Sequence, residues 1–238
     1  MSLWFRSRTC SCSAEPGVAG KATIAIIGGT GALGAGLGRR LVGAGHAVLI
    51  GSRSAAKAEA AANTLAANAT GVRPRGAGNA EAAKSADIVF VTVPWASHAF
   101  ILDEIAPHVA GKLVVDTTVP LVPPRVARAQ MPPAGSAALA TQQRLGTGVR
   151  VVSAFHNVAA HKLQRDEAID CDVLVFGDDP KDREVVVDLA RDAGLRAIHA
   201  GALANSVAAE ALTSVLIGIN RAYKVDGAGI RITGINGT

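Results

Sequence analysis

In the stretch Ile24-Ala25-Ile26-Ile27-Gly28-Gly29-Thr30-Gly31-Ala32-Leu33-Gly34, a short apolar run ends in a glycine turn, and the helical period of Leu33, Leu37, Leu41 and Val42 takes over. The pattern is strand, turn, helix. Gly29, Gly31 and Gly34 fit G-x-G-x-x-G. In that motif the first glycine permits the tight turn, the second lets backbone approach a pyrophosphate, and the third lets helix and strand pack closely. The helix's unpaired N–H groups and positive end then meet the phosphates. A lone match would be weak; the flanking strand and helix give it meaning.

Moving outward, a second strand at 47–50 delivers Gly51-Ser52-Arg53-Ser54, followed by an alanine-rich helix over 55–67. In dinucleotide folds this position reads the adenosine ribose: an acidic residue accepts from the ribose hydroxyl, whereas a basic one accommodates a 2′-phosphate. Ser52 and Arg53 stand here, no Asp or Glu appears before Glu59, and Lys57 lies one turn into the helix. The sequence therefore points to NADP. A solvated surface arginine is the plainer reading of Arg53.

Further strands are predicted at 72–75, 88–93, 113–116, 149–158, 172–176 and 195–200, and further helices at 79–85, 96–109, 135–145, 180–192 and 203–223. This alternation predicts an α/β fold: a doubly wound, mostly parallel Rossmann-type sheet with a C-terminal helix covering the crevice. Residues 1–20 read as a flexible tail, 21–200 as the NADP-binding domain with extra α/β units, and 201–238 as a C-terminal helix and tail that complete the substrate site and the subunit interface. Ligands in such sheets lie beyond the strands' carboxyl ends. That places Val93, Pro94 and Trp95 near the nicotinamide half of the cofactor, with helix packing as the alternative for Trp95. The run from Pro120 to Pro133 holds five prolines, counted from the sequence, and reads either as a loop over the ligand edge or as a surface connection. His156, near the end of the 149–158 strand, is either a ligand-orienting group or a core histidine.

Composition narrows the function. The chain has 238 residues, 49% of them hydrophobic and 3% aromatic, which suits buried parallel strands under close-packed helices. A net charge of +5, scattered and without aromatic interleaving, argues against a nucleic-acid partner. Cys10, Cys12 and Cys171 offer neither a disulfide framework nor metal spacing, so a cytoplasmic setting is expected. No uninterrupted apolar segment of membrane-spanning length is read, and no membrane partner is expected. The tail, with Arg6, Arg8 and Glu15, lacks the apolar centre of a secretory signal.

The residues offer little acid–base chemistry. The only tyrosine, Tyr223, is followed four residues on by Gly227, so the Tyr-x-x-x-Lys pair of short-chain dehydrogenases is impossible. Ser153 and His156, on one strand at a spacing that points them to opposite faces, are not expected to pair. His156 and His161 lack the acidic third ligand of a zinc site, and no metal is expected. What remains is a site that binds and aligns two redox molecules.

Taken together, Gly28 to Gly34, Gly51-Ser52-Arg53 with Lys57, Thr92-Val93-Pro94-Trp95, Val152-Ser153-Ala154-Phe155-His156 and Gly201-Ala202-Leu203-Ala204-Asn205-Ser206 resemble the NADPH-dependent reductases of the deazaflavin coenzyme F420. The blocks occur in the family's order from about Thr23 to Tyr223. The resemblance implies that Thr30, Ser52, Arg53 and Lys57 hold the 2′-phosphate end and that the backbone at Gly31, Ala32 and Leu33 holds the pyrophosphate. It further implies that His156 and Val158 lie against the deazaflavin, with Asn205 and Ser206 nearby, and that the protein is a homo-oligomer, commonly a dimer. The implied reaction is reversible hydride transfer between NADP(H) and coenzyme F420, with alignment rather than acid–base catalysis supplied by the protein. Two alternatives stay open: an NADP-dependent reductase of another pterin, flavin or imine, and a non-catalytic NADP-binding redox sensor.

Overall fold

The computed structural model describes residues 22–235. The tail at 1–20, with Cys10 and Cys12, lies outside the described residues. The strands are β1 (Ile24–Ile27), β2 (Val48–Ser52), β3 (Arg75–Gly78), β4 (Ile88–Val91), β5 (Leu113–Asp116), β6 (Arg150–Ser153), β7 (Asp172–Phe176) and β8 (Arg196–Gly201). The helices are α1 (Ala32–Gly43), α2 (Ala55–Ala66), α3 (Asn79–Ser85), α4 (Trp95–Ile105), α5 (Ala137–Leu145), α6 (Ala160–Leu163), α7 (Pro180–Asp192) and α8 (Ser206–Tyr223).

All eight strands form one sheet in the order β3-β2-β1-β4-β5-β6-β7-β8, parallel throughout except between β6 and β7. β1 is central and wholly buried, which is why its residues are apolar on both faces. Ile24 and Ile26 join Leu37 and Leu41 of α1 in one core, while Ala25 and Ile27 join Ala82 of α3 and Leu102 of α4 in the other. Strand order reverses between β2 and β4 on either side of β1, and that reversal opens the crevice.

Three of the differences from the sequence reading stand out. β3 begins at Arg75, not Val72, because Pro74 lacks an N–H for the ladder and Gly76 is needed against α2, where a Cβ would lie 2.1 Å from the Glu59 nitrogen. β6 stops at Ser153 instead of running to Val158, because Phe155 turns the chain with φ 69°. Thirdly, the helix Leu203–Tyr223, predicted at those bounds, is long and apolar enough by length and composition to cross a membrane, with a mean hydropathy of 1.3, although the sequence holds no uninterrupted apolar segment of that length there. Its polar residues are spaced along the helix, so no single uninterrupted apolar run marks it. Here the helix is latched to the domain: Glu210 accepts from the Ala137 and Ala138 N–H groups at 2.7 and 3.2 Å, and Ser206 donates to Ser136 at 2.8 Å.

β7 meets β6 at one paired position, Ser153 with Phe176, each the last residue of its strand. The β7–β8 pair therefore projects past the carboxyl rim of the parallel strands. Arg40 on α1 steadies the intervening connection by donating to the carbonyls of Leu163, Arg165 and Glu167 at 3.2, 2.7 and 2.8 Å.

Candidate functional site

Beyond the ends of β1, β2 and β4 lies a polar cleft of about 170 Å³, lined by Gly28, Thr30, Gly31, Ser52, Arg53, Asn79, Thr92, Val93 and Pro94 among others. The sharp turn falls at Gly28, whose φ of +78° suits glycine and where a Cβ would lie 2.7 Å from Val93 Cγ1. Gly29, the expected turn glycine, is instead a close-packing position, where a Cβ would lie 2.8 Å from the Ile26 carbonyl oxygen. Gly34 is the helix-to-strand contact: a Cβ there would come 2.5 Å from Thr92 Oγ1 and 2.7 Å from Gly29 Cα.

The helix starts divide in a telling way. α2, α5 and α7 are capped by the side chains of Ser54, Ser136 and Asp179. α1, α3, α4 and α6, whose caps or first residues line clefts at this edge, have no side-chain cap; α8 also lacks one, though its start lines neither cleft. The orphan N–H groups at the cleft edge are open to a ligand, and α1 has no acidic residue in its first turn to repel phosphate.

Arg53 and Lys57 are both exposed, and among the described residues neither side chain makes an ion pair. Lys57 does not line the polar cleft; Thr30, Ser52 and Arg53 do. Sequence reasoning missed Asn79. Its Nδ2 donates to Glu104 at 3.1 Å, while its Oδ1 is buried without a protein partner. The residue after a predicted edge strand, at the helix start, was the available signal.

A second, larger cleft of about 590 Å³ shares Gly31, Thr92, Val93 and Pro94 with the first. Ala32, Leu33, Trp95, Phe155, His156, Val158 and Thr213 also line it. So do Leu121, Pro123 and Val126, which makes the proline-rich run a wall of the ligand edge and not a remote connection. Trp95 satisfies both of its readings, lining the cleft and packing on His98 with ring centroids 5.1 Å apart. Asn205 and Ser206 do not line either cleft in this chain: Asn205 is exposed, and Ser206 is buried against Ser136.

His156 lies in the turn after β6, not in the strand, and this corrects the expected separation from Ser153. Its Nε2 sits 3.0 Å from Ser153 Oγ. Ser153 is fully buried, so the pair presents no nucleophile. Burial pushes the His156 pKa down to about 4, against the opposing charge of Asp116, so the ring is neutral at physiological pH. Its Nδ1 is buried with no protein partner, and Thr213 on α8 donates to its carbonyl at 3.0 Å.

Behind this cleft is a buried polar group that the sequence did not reveal. Asp116, at the end of β5, accepts from His98 Nε2 at 2.8 Å, Thr141 Oγ1 at 2.5 Å and the Thr118 N–H at 2.8 Å. Burial opposes its ionisation, but the His98 bond and charge with the other two donors hold its pKa below the usual carboxylate range. Burial pushes Glu210 up to about 7; the Ala137 and Ala138 N–H groups oppose that rise, and the charge of Asp116 adds to it.

Residues 23–120 match the family model of coenzyme F420-dependent NADP oxidoreductases. The F420-dependent NADP reductase of Methanocaldococcus jannaschii is 40% identical over 221 residues, 89% of this chain and 98% of that protein. The chain belongs to the F420-dependent NADP reductase family. The reductase of Methanothermobacter thermautotrophicus is likewise 40% identical, over 89% of this chain and 95% of its own. A crystal structure provisionally assigned as an F420-dependent NADP reductase, from Arthrobacter sp. FB24, superposes with a TM-score of 0.75 at 26% identity, over 89% of this chain and 99% of that one. In this chain the α/β sheet with its crevice is the frame on which both clefts are built.

Proposed function

We propose that this protein transfers a hydride reversibly between NADP(H) and coenzyme F420. The observation that carries the reading is the junction of the two clefts at Gly31, Thr92, Val93 and Pro94, which lets a polar nucleotide groove run directly into an apolar chamber. Ser52, Arg53 and Thr30 receive the 2′-phosphate end, with Lys57 as a second cation one helical turn away. The backbone at Gly31, Ala32 and Leu33 receives the pyrophosphate, with the Gly31 N–H itself bonded to the Gly28 carbonyl at 2.9 Å. Gly29 and Gly34 hold the turn and helix close enough for that approach.

The bound nicotinamide and deazaflavin rings supply the hydride chemistry themselves. Val93, Pro94 and Trp95 wall the nicotinamide half, and His156 and Val158 bound the deazaflavin half. Neutral His156 offers a hydrogen bond and not a proton, in keeping with a site that works by alignment and by exclusion of water. Asn205 and Ser206 stand outside both clefts, on the approach to α8 within a C-terminal segment at 201–238 that follows the NADP-binding domain at 21–200, and Ser206 acts by anchoring that helix to Ser136. Val215, Ile219 and Tyr223 are exposed on α8, and a homo-oligomer, commonly a dimer, covers that face. The setting is the cytoplasm.

Purified protein mixed with NADPH and oxidised F420 should bleach the visible absorbance of the deazaflavin catalytically. Tight NADPH binding without bleaching would overturn the reading.

A further inference from the structure

We propose that Asp116 is a positioning residue for this reaction, fixing the chamber wall by holding His98 against the Trp95 indole and by tying down the Thr118 backbone. The inference rests on the hydride-transfer reading above. Asp116 does not line either cleft, and it is 1% exposed. One residue that it holds lines the chamber, and another packs on a residue that does. Its Oδ1 takes the Thr118 N–H at 2.8 Å, and Thr118 lines the chamber. Its Oδ2 takes His98 Nε2 at 2.8 Å, and the His98 ring packs on Trp95 at 5.1 Å with 31° between the planes.

The spacing makes this coupling local and stiff. Trp95 and His98 are three residues apart on α4, so they share a helix face. A tryptophan in the first turn of a helix without a side-chain cap has room for more than one rotamer, and a fixed neighbouring ring removes that choice. Thr141 on α5 closes the set, 2.5 Å from Asp116 Oδ2 and 3.0 Å from His98 Nε2, so the imidazole is held from two helices and a strand. A purely structural position here needs no charge. Val114, two residues earlier on the same face of β5, fills the same layer with an apolar side chain. A carboxylate with three donors specifies geometry, which a hydrocarbon would not. Hydride transfer is sensitive to such geometry, because a displacement of about 1 Å in the reacting pair can cost about 100-fold in rate.

The test uses the full chain. Tryptophan occurs twice, so Trp4→Phe leaves Trp95 as the single reporter. Asp116→Asn in that background should raise acrylamide quenching of Trp95 about twofold. It should lower kcat about tenfold, because a loosened wall misaligns the two rings, while the KM for NADPH, set chiefly by the phosphate end, stays within about twofold. In a Trp95→Ala background the same substitution should add less than about twofold, because coupled residues are not additive. Thr141→Val, which keeps the Asp116–His98 bond, should give the same pattern at about threefold and serves if Asp116→Asn does not fold. Unchanged quenching, an unchanged kcat, or a full tenfold effect in the Trp95→Ala background would each overturn the assignment. Quenching is read without any ligand, so absence of F420 turnover by the unmodified protein would defeat the functional reading while leaving this one to be judged separately.

Discussion

The two halves of the crevice are built by different means. On the nucleotide side, glycines bring backbone close, helix starts lack side-chain caps, and exposed cations stand free. On the chamber side the wall is made of side chains, and buried polar pairs hold it in place: His98 with Asp116, Ser153 with His156, Glu210 with the start of α5. In the proposed reading the first half recognises phosphate through many small dipoles, and the second shapes a space for a flat ring. Substitutions on one side should therefore leave the other side's ligand untouched.

The harshest break falls on the nucleotide side. Gly34→Val places carbon where Thr92 Oγ1 and Gly29 Cα already sit, and should cost about 3 kcal/mol of stability and abolish NADPH binding, as measured by urea unfolding with and without the nucleotide. Next, Arg53→Asp should raise the KM for NADPH by roughly 10- to 100-fold, the equivalent of about 1.5–3 kcal/mol, with the KM for F420 unchanged. An equal rise in both constants would erase the division between the halves.

The chamber side is sharpened by pH. With a folded pKa of about 7 against 4.5 unperturbed, Glu210 binds more protons in the folded state, so its contribution is complete below about pH 4.5 and lost as the pH rises to about 7. His156 runs the other way: depressed from 6.5 to about 4, it contributes above pH 6.5 and its contribution is lost as the pH falls to about 4. The two slopes oppose each other where their windows overlap. Glu210→Gln should leave stability climbing with pH up to about 6.5 and should remove the fall approaching pH 7, a difference of about 1–2 kcal/mol in denaturant midpoints across the range. The smallest effect is expected for His156→Ala, a rise of about fivefold in the KM for F420 with NADPH unaffected, or about 1 kcal/mol. An unchanged F420 constant would make His156 a core residue.

What could be read in the sequence follows the same division. The strand at Ile24–Ile27, the glycine turn, Ser52 with Arg53 and the mostly parallel sheet are encoded by neighbours along the chain, and periodicity exposes them. Asp116 meets His98 across a strand and a helix, and Glu210 reaches α5 from 73 residues away; no local spacing carries that contact. Ser153 and His156 were set apart by the period of a strand that ends before His156 is reached. A single residue with positive φ, Phe155, reverses the inference. Asn79 was legible as a helix start but not as a buried acceptor, because burial depends on how α3 packs against its neighbours.

The one-rung seam between β6 and β7 has an evolutionary corollary. Among the described residues the six parallel strands close their ladder without help from anything after Ser153, so the nucleotide platform and the later segment can diversify at different rates. New acceptor preferences could arise by grafting or drift in that trailing segment, with the dinucleotide grip inherited intact.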